Sequence, residues 1–289
     1  MAFAPLFTPP HGGRLERLRR LRWRWVDEDR PQEPAWNLAL DEALAEAAGG
    51  GQAPPFIRLW TGRRSLVTSR YDPGLADLEA ASAWCRRQGY QLLLRSSGGS
   101  AVVHSPWTLN LSVAVPVREG FPSIAEAYEL LPAGLLRALA EMGLEVGFGS
   151  VPGSFCDGRW NLVADGRKLA GTAQRRRAGY VLWHAVLLVG GGRAEVEAMV
   201  ADLRAFYEAA AAPSPPVLAA GAHTTVAEAW RERHPSPGRP APSREEVAER
   251  IRDAYRRLYP FLSAEPPSRE ERERAARLAP SFLPESAGA

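Results

Sequence analysis

The sequence predicts an α+β domain built on antiparallel strand pairs, and three observations carry that prediction. Asp165-Gly166, between Asn161–Ala164 and Lys168–Ala173, is a two-residue hairpin signal. Ala178-Gly179 marks another turn before Tyr180–Val189, so consecutive strands pair antiparallel, unlike those of a doubly wound parallel sheet. Helical spacing of apolar residues recurs on both sides of this region, as in Leu40, Ala43, Leu44 and Ala47.

The elements follow in order. Residues 1–22 form a basic lead-in, and the run from Arg14 to Arg24 reads as solvated in preference to an acidic-partner contact. The catalytic-size domain spans 23–262. A strand is expected at Trp23–Val26 and a helix at Asn37–Ala48, stopped by Gly49–Gly51 and Pro54-Pro55. Phe56–Trp60 and Ser65–Tyr71 are strands about the turn Gly62–Arg64. Leu75–Gln88 is a helix closed by Gly89, and Tyr90–Leu94 a strand. Ala101–His104 and Leu109–Pro116 are strand-like, and Ile124–Met142 reads as one helix stopped by Gly143. After the hairpins come a helix at Ala194–Ala209, an Ala/Pro-rich connector, and charged helical patterns at Arg244–Leu258 and Ser268–Leu278. Residues 263–289 form a charged helical tail, too short for a full accessory domain.

Composition removes several function classes. Of 36 Lys+Arg residues only Lys168 is lysine, and 33 acidic residues leave a net charge of +3. The arginine excess is therefore no argument for a nucleic-acid partner. No apolar run reaches the roughly 18–20 residues that span a bilayer, so no membrane partner is expected. The N-terminus lacks the order of a signal peptide. Two cysteines, Cys85 and Cys156, make a disulfide framework an unlikely design, and cytoplasmic residence is the expectation. No Cys or His pair has metal-ligand spacing, so no metal site is expected. In a chain that otherwise uses arginine, one retained lysine points to a position needing a compact, rotatable ammonium; survival by chance on a surface hairpin is the competing reading.

Two stretches carry chemistry. Arg95-Ser-Ser-Gly-Gly-Ser-Ala-Val-Val-His104 joins two strands through small residues. Gly98 and Gly99 permit close backbone approach, so their N–H groups can face an anion or a carbonyl oxygen, although composition alone also fits a plain flexible turn. The second is Cys156-Asp-Gly-Arg-Trp-Asn-Leu-Val-Ala-Asp-Gly-Arg-Lys168-Leu-Ala-Gly-Thr-Ala-Gln174. Lys168 opens the returning strand, and Gly171, Thr172 and Ala173 favour close approach to a ligand. An ammonium there can neutralise an oxygen that turns negative during acyl transfer. Cys156 sits in a Pro/Gly-flanked loop where a cation could favour its thiolate; a small buried hydrophobe is an equally weighted reading. Cys85 reads as structural. His104 is placed in a ligand pocket ahead of a bracing role, whereas His184 is placed in the core ahead of the pocket. Trp23, Trp25, Trp60, Trp107 and Trp183 are expected in the core.

Together these residues resemble the biotin/lipoate protein ligase superfamily, in its lipoate–protein ligase and cysteine-dependent octanoyltransferase branch. The resemblance covers about residues 23–260. Trp36 to Ala43 is similar to the family's first helix, Arg95–His104 to its Arg-Arg-x-x-Gly-Gly-Gly-x-Val-x-His loop, and Asp165–Gln174 to its catalytic lysine motif. This implies the superfamily's catalytic fold, a mixed, mostly antiparallel sheet flanked by helices. It also implies attachment of an octanoyl or lipoyl group to one lysine of a lipoyl domain, in 2-oxoacid dehydrogenases or the glycine cleavage H protein. Lys168 and Cys156 are the implied catalytic residues. Arg95, Ser97, Gly98, Gly99, Ser100, His104, Gly171, Thr172 and Ala173 are the implied acyl and substrate contacts.

Two chemistries fit that resemblance. A transferase takes the acyl group from acyl carrier protein onto a cysteine and needs no cofactor. A ligase activates the free acid with ATP and Mg2+, with Gly98, Gly99 and Lys168 about the phosphate. The position of Cys156 just upstream of the lysine motif gives the transferase the preference. Against it, Cys156-Asp-Gly-Arg-Trp-Asn also resembles the ligase's Gly-Arg-Asn-Asp segment. Ser96, Ser100 and Ser105 depart from the loop pattern of both. A non-catalytic acyl-binding or regulatory homologue is the alternative from another class.

Overall fold

The computed structural model describes residues 12–27, 33–117, 123–235, 238 and 240–284. In chain order, α1 (Gly12–Arg20) leads into β1 (Trp23–Val26), α2 (Pro34–Gly49), β2 (Phe56–Trp60), β3 (Ser65–Ser69), α3 (Leu78–Arg87) and β4 (Gln91–Arg95). The middle of the chain runs β5 (Val102–His104), β6 (Thr108–Pro116), α4 (Ile124–Leu130), α5 (Ala133–Glu141), β7 (Val146–Gly149), β8 (Asn161–Ala164), β9 (Arg167–Arg176) and β10 (Tyr180–Leu188). It ends with α6 (Arg193–Ala209), α7 (Val226–Arg233), α8 (Arg244–Leu258), β11 (Leu262–Ala264) and α9 (Arg269–Leu278).

The strands form two sheets. The larger has eight strands in the order β11-β1-β2-β6-β10-β9-β8-β7, and the smaller is β4-β3-β5. Parallel pairing is confined to β11-β1, β1-β2 and β3-β4, and the remaining pairs are antiparallel. The α+β class with a mixed, mostly antiparallel sheet flanked by helices is thus the observed one.

Strand alternation divides the interior into two cores. Leu109, Leu111, Val113 and Val115 of β6, with Val181, Trp183 and Leu187 of β10, face a core completed by α4, α5 and α8. Ala114 and Leu182 point the other way, into a core shared with α2, α6 and the small sheet. On the face of β6 opposite its leucines and valines, Thr108, Asn110 and Ser112 alternate with them and are buried as well. Gly134 is required where α5 meets α8, because a Cβ there would fall 2.4 Å from the Tyr255 ring. Tyr255 then donates its hydroxyl to the Leu131 carbonyl at 2.7 Å.

Several elements differ from expectation. The 124–142 helix is broken into α4 and α5 at Leu131-Pro132, since proline cannot donate to the preceding turn. Residues 1–11 of the basic lead-in lie outside the described residues, and Gly12–Arg20 fold as α1; Leu18 is buried and its carbonyl accepts a hydrogen bond from Trp23 Nε1 at 2.7 Å, which the charge-dominated sequence obscures. β7 and α7 were not expected; α7 is started by Thr225, whose hydroxyl accepts from Glu228 N at 3.0 Å. Within 263–284, β11 extends the large sheet beside β1, and α9 packs on α2. The buried Arg24 guanidinium holds Glu271 of α9, with Nη1 donating to Oε2 at 3.0 Å. Trp23, Trp25, Trp60 and Trp183 are buried as expected, and Trp107 is only partly buried.

Candidate active site

The space between the two sheets holds a narrow, mostly apolar pocket with a cavity of about 50 Å³. Alternation decides what lines it. Asn110 and Ser112 of β6 and His184 and Val186 of β10 lie on the side opposite Leu111 and Trp183. His184, placed by sequence in the core, therefore lines the pocket. Its Nε2 lies 3.0 Å from Ser97 Oγ. Burial, then the charge of Arg95, pushes its pKa down to about 3, so the ring is neutral at physiological pH. Burial, Arg95 and His184 do the same to His104, also down to about 3. His104 lines the pocket edge-on to Trp60, with ring centroids 5.6 Å apart.

Arg95 ends β4 and turns back into its own loop. It donates to Gly98 O and Ser100 O at 2.9 Å and to Val67 O at 2.8 Å. The same guanidinium reaches Cys156 Sγ at 3.9 Å. One buried cation thus holds the Gly-Gly loop closed and sits beside the sulfur. Gly99 has φ +102, and a Cβ on it would fall 2.6 Å from Cys156 Sγ and 2.8 Å from Arg95 Nη2. Only glycine permits that approach. Gly99→Ala is expected to displace the loop and slow the single-turnover reaction of the Cys156 thiol with a small electrophile about tenfold. An unchanged single-turnover rate would separate the loop from the sulfur's reactivity.

Cys156 itself adopts φ +46, a left-handed conformation costly for a side-chain-bearing residue and concentrated at functional positions. Its carbonyl is turned inward, accepting from Lys168 Nζ at 3.0 Å and from Asn161 Nδ2 at 3.0 Å. Asp157 caps the same turn, accepting from Val151 N and Gly158 N at 2.8 Å each.

Lys168 is fully buried although it lies only two residues beyond the hairpin turn. The reason is a β-bulge: β8 pairs Val163 with Lys168 but Leu162 with Ala170, so β9 carries one extra residue. The bulge re-aims the side chain inward. Nζ donates to the carbonyls of Phe155 and Cys156, lies 4.5 Å above the Phe155 ring, and packs beneath Gly171, where a Cβ would be 3.3 Å away. Burial is the main cause that lowers its pKa to about 8; Cys156 and Asp157 oppose the shift and Arg95 adds to it. Such an ammonium exchanges its proton near neutral pH.

Arg95, His104, Cys156, Gly171, Thr172 and Ala173 therefore share one pocket, with Lys168 behind its wall and Gly99 over the sulfur. Ser97 stands between this pocket and an outer groove, Gly98 faces that groove, and Ser100 contributes its carbonyl to Arg95. Sequence reasoning missed Asn161 and His223. Asn161 holds both the Cys156 carbonyl and, through Oδ1, Thr172 N at 3.1 Å. Buried His223 bridges in parallel to Lys168, stacks on Phe155, and accepts from Phe155 N at 3.1 Å. Its distance in sequence from Phe155 and Lys168 hid the contact.

A buried lysine, a cysteine against a cation and a Gly-Gly loop over an apolar pocket define a domain equipped for acyl transfer. The chain belongs to the lipoyl protein ligase A/B catalytic domain family, whose model matches residues 33–214. It is 35% identical over 197 residues to an octanoyl-GcvH:protein N-octanoyltransferase of Geobacillus kaustophilus, covering 67% of this chain and 68% of that protein. It is 28% identical to a lipoyl-GcvH:protein N-lipoyltransferase of Listeria monocytogenes, covering 62% and 66%. Its fold is similar to that of an ATP-bound lipoate-protein ligase A (TM-score 0.66, 20% identity, covering 90% and 95%). A bi-partite lipoate protein ligase of Thermoplasma acidophilum is similar too (TM-score 0.65, 19%, covering 90% and 93%). No helix among the described residues is long and apolar enough to cross a membrane.

Proposed function

We propose that this chain is an octanoyltransferase that moves an octanoyl group between lipoyl-type domains through a thioester on Cys156. The observation that carries the reading is the Cys156 sulfur, 3.9 Å from a buried guanidinium at an apolar pocket, with its own carbonyl held by Lys168. The names of the curated relatives favour octanoyl-GcvH as donor over the acyl carrier protein. One lysine amide is then exchanged for another, which needs no nucleotide.

In the first half, the Cys156 thiolate, with Arg95 as its counter-charge, adds to the amide carbonyl carbon. The carbon–nitrogen bond breaks as the leaving lysine nitrogen of the donor takes a proton from the Lys168 ammonium. In the second half, the acceptor lysine's neutral amine adds to the thioester. Lys168 takes the surplus proton from that nitrogen, and the thiolate departs. Thr172, Ala173 and His184 border the acyl chain, while Asn161 and Asp157 fix the turn that presents the sulfur.

The ligase reading places ATP phosphates against Gly98 and Gly99. Gly98 is open, whereas the side of Gly99 where a Cβ would point faces the Cys156 sulfur and the Arg95 guanidinium, which favours a thioester site over a phosphate cradle there. The deciding experiment incubates the protein with octanoyl-GcvH, with octanoyl-carrier protein, or with octanoate plus ATP, and reads intact mass. An octanoyl adduct on Cys156 from octanoyl-GcvH is expected, and its discharge by apo lipoyl domain completes the cycle. Product only with ATP would overturn the transferase reading.

A further inference from the structure

Beyond its last pocket residue, Ala173, β9 continues outward as Gln174, Arg175 and Arg176, followed by Arg177, and with the outer side of the Gly-Gly loop these form a wide surface groove. Arg70, Tyr71 and the tip of α9 close its other bank. Four arginines and two glutamates line it, and both glutamates are already held within the fold. Glu42 pairs with Arg175 at 2.8 Å, and Glu46 with Arg274 at 2.7 Å. Arg70 and Arg177 are exposed and meet no carboxylate among the described residues, so the groove presents positive charge to solvent.

Tyr71 is 87% exposed in the middle of this charge. It does not sit on a loose loop. Tyr71 N donates to Ser69 Oγ at 3.1 Å, Asp72 N to Ser69 O at 3.1 Å, and Gly74 N to Asp72 Oδ1 at 3.0 Å. Tyr207 donates to Asp72 Oδ2 at 2.9 Å and accepts from Ala101 N at 2.7 Å, tying this turn to the end of the Gly-Gly loop. A large aromatic on a rigid turn, ringed by arginine, loses little freedom on contact and is the usual form of an interface anchor.

We propose that this groove docks the acyl-carrying domain through an acidic surface beside its modified lysine, with Tyr71 as the apolar anchor and Arg70 and Arg177 as the charge contacts. The proposal rests on the transferase reading, because it needs a protein donor whose lysine arm must pass Ser97 and Gly98 to reach Cys156. Charge complementarity fixes the partner's chemistry, and the shared β9 fixes the direction of entry.

The test compares wild type with Arg70→Glu/Arg177→Glu and with Tyr71→Ala, none of which touches the apolar pocket. Binding of octanoylated GcvH is measured by calorimetry, and Cys156 acylation by a small octanoyl thioester is measured by intact mass. The charge-reversal variant is expected to weaken GcvH binding at least about tenfold and to flatten its salt dependence, and Tyr71→Ala to weaken it several-fold. Acylation by the small thioester should stay within twofold of wild type in both. Unaltered GcvH affinity with unaltered salt dependence overturns the docking surface. Weakened binding in a protein that never acylates Cys156 keeps the surface and overturns the transferase reading instead.

Discussion

Cys156→Ala is expected to lower octanoyl transfer from octanoyl-GcvH by at least about a thousandfold, with no acyl adduct at any other residue. The fold should tolerate the change. Alanine meets the same left-handed φ of +46 that cysteine already meets, so no new backbone cost arises, and the carbonyl bonds from Lys168 and Asn161 are untouched. Cys85→Ala supplies the internal control. That thiol is buried on α3 and its pKa is pushed up to about 12, chiefly by burial, so it offers no thiolate near neutral pH. Transfer by Cys85→Ala at the wild-type rate, together with loss in Cys156→Ala, assigns the chemistry to one sulfur. A Cys156→Ala protein that still octanoylates an apo domain from octanoate and ATP would instead mark a ligase, in which the sulfur is a bystander.

Much of this site was legible before the fold was known, and the reasons are physical. Asp165-Gly166 specifies a two-residue turn through local backbone preference alone, and that turn fixes where β9 begins. Gly99 and Gly171 likewise announce close approach, since few other pressures keep glycine beside a strand, whereas Gly98 faces open space. Direction was not legible. The bulge that turns Lys168 inward depends on its pairing with β8, and nothing local to Leu169 marks it. His184 and Trp183 are adjacent in sequence, yet one lines the pocket and the other the opposite core; alternation shows that they differ but not which face carries the ligand. α1 and β11 were hidden for a related reason. Each is short, and each is held by contacts made far away in sequence, such as Arg14 of α1 on Glu126 and β11 on β1.

Lys168→Arg is expected to lower transfer from octanoyl-GcvH by about a hundred- to ten-thousandfold although the positive charge is kept. Arginine stays protonated throughout the accessible pH range, so it can neither yield a proton to the leaving amine nor accept one from the acceptor lysine. In the proposed mechanism the native lysine, whose pKa burial lowers to about 8, does both. The pH dependence separates this proton role from a purely electrostatic one. In single-turnover acylation from octanoyl-GcvH, the rate should fall as pH rises through about 8, because the departing nitrogen needs the Lys168 proton. Acylation from a small octanoyl thioester, whose thiolate leaves without a proton, should show no such fall. An identical fall with both donors would assign the limb to another group and remove Lys168 as the acid. Stability supplies a second, independent readout. The folded pKa lies below the ordinary value of 10.5, so between about 8 and 10.5 the unfolded chain holds the additional proton and stability rises with pH. Below about 8 the buried charge costs the fold about 3 kcal/mol. Lys168→Met should therefore lose that rise in a comparison of urea midpoints at pH 7.5 and 10, while losing transfer altogether. A buried lysine whose charged form the fold disfavours, and which is the one lysine in the chain, is what the proposed proton role requires.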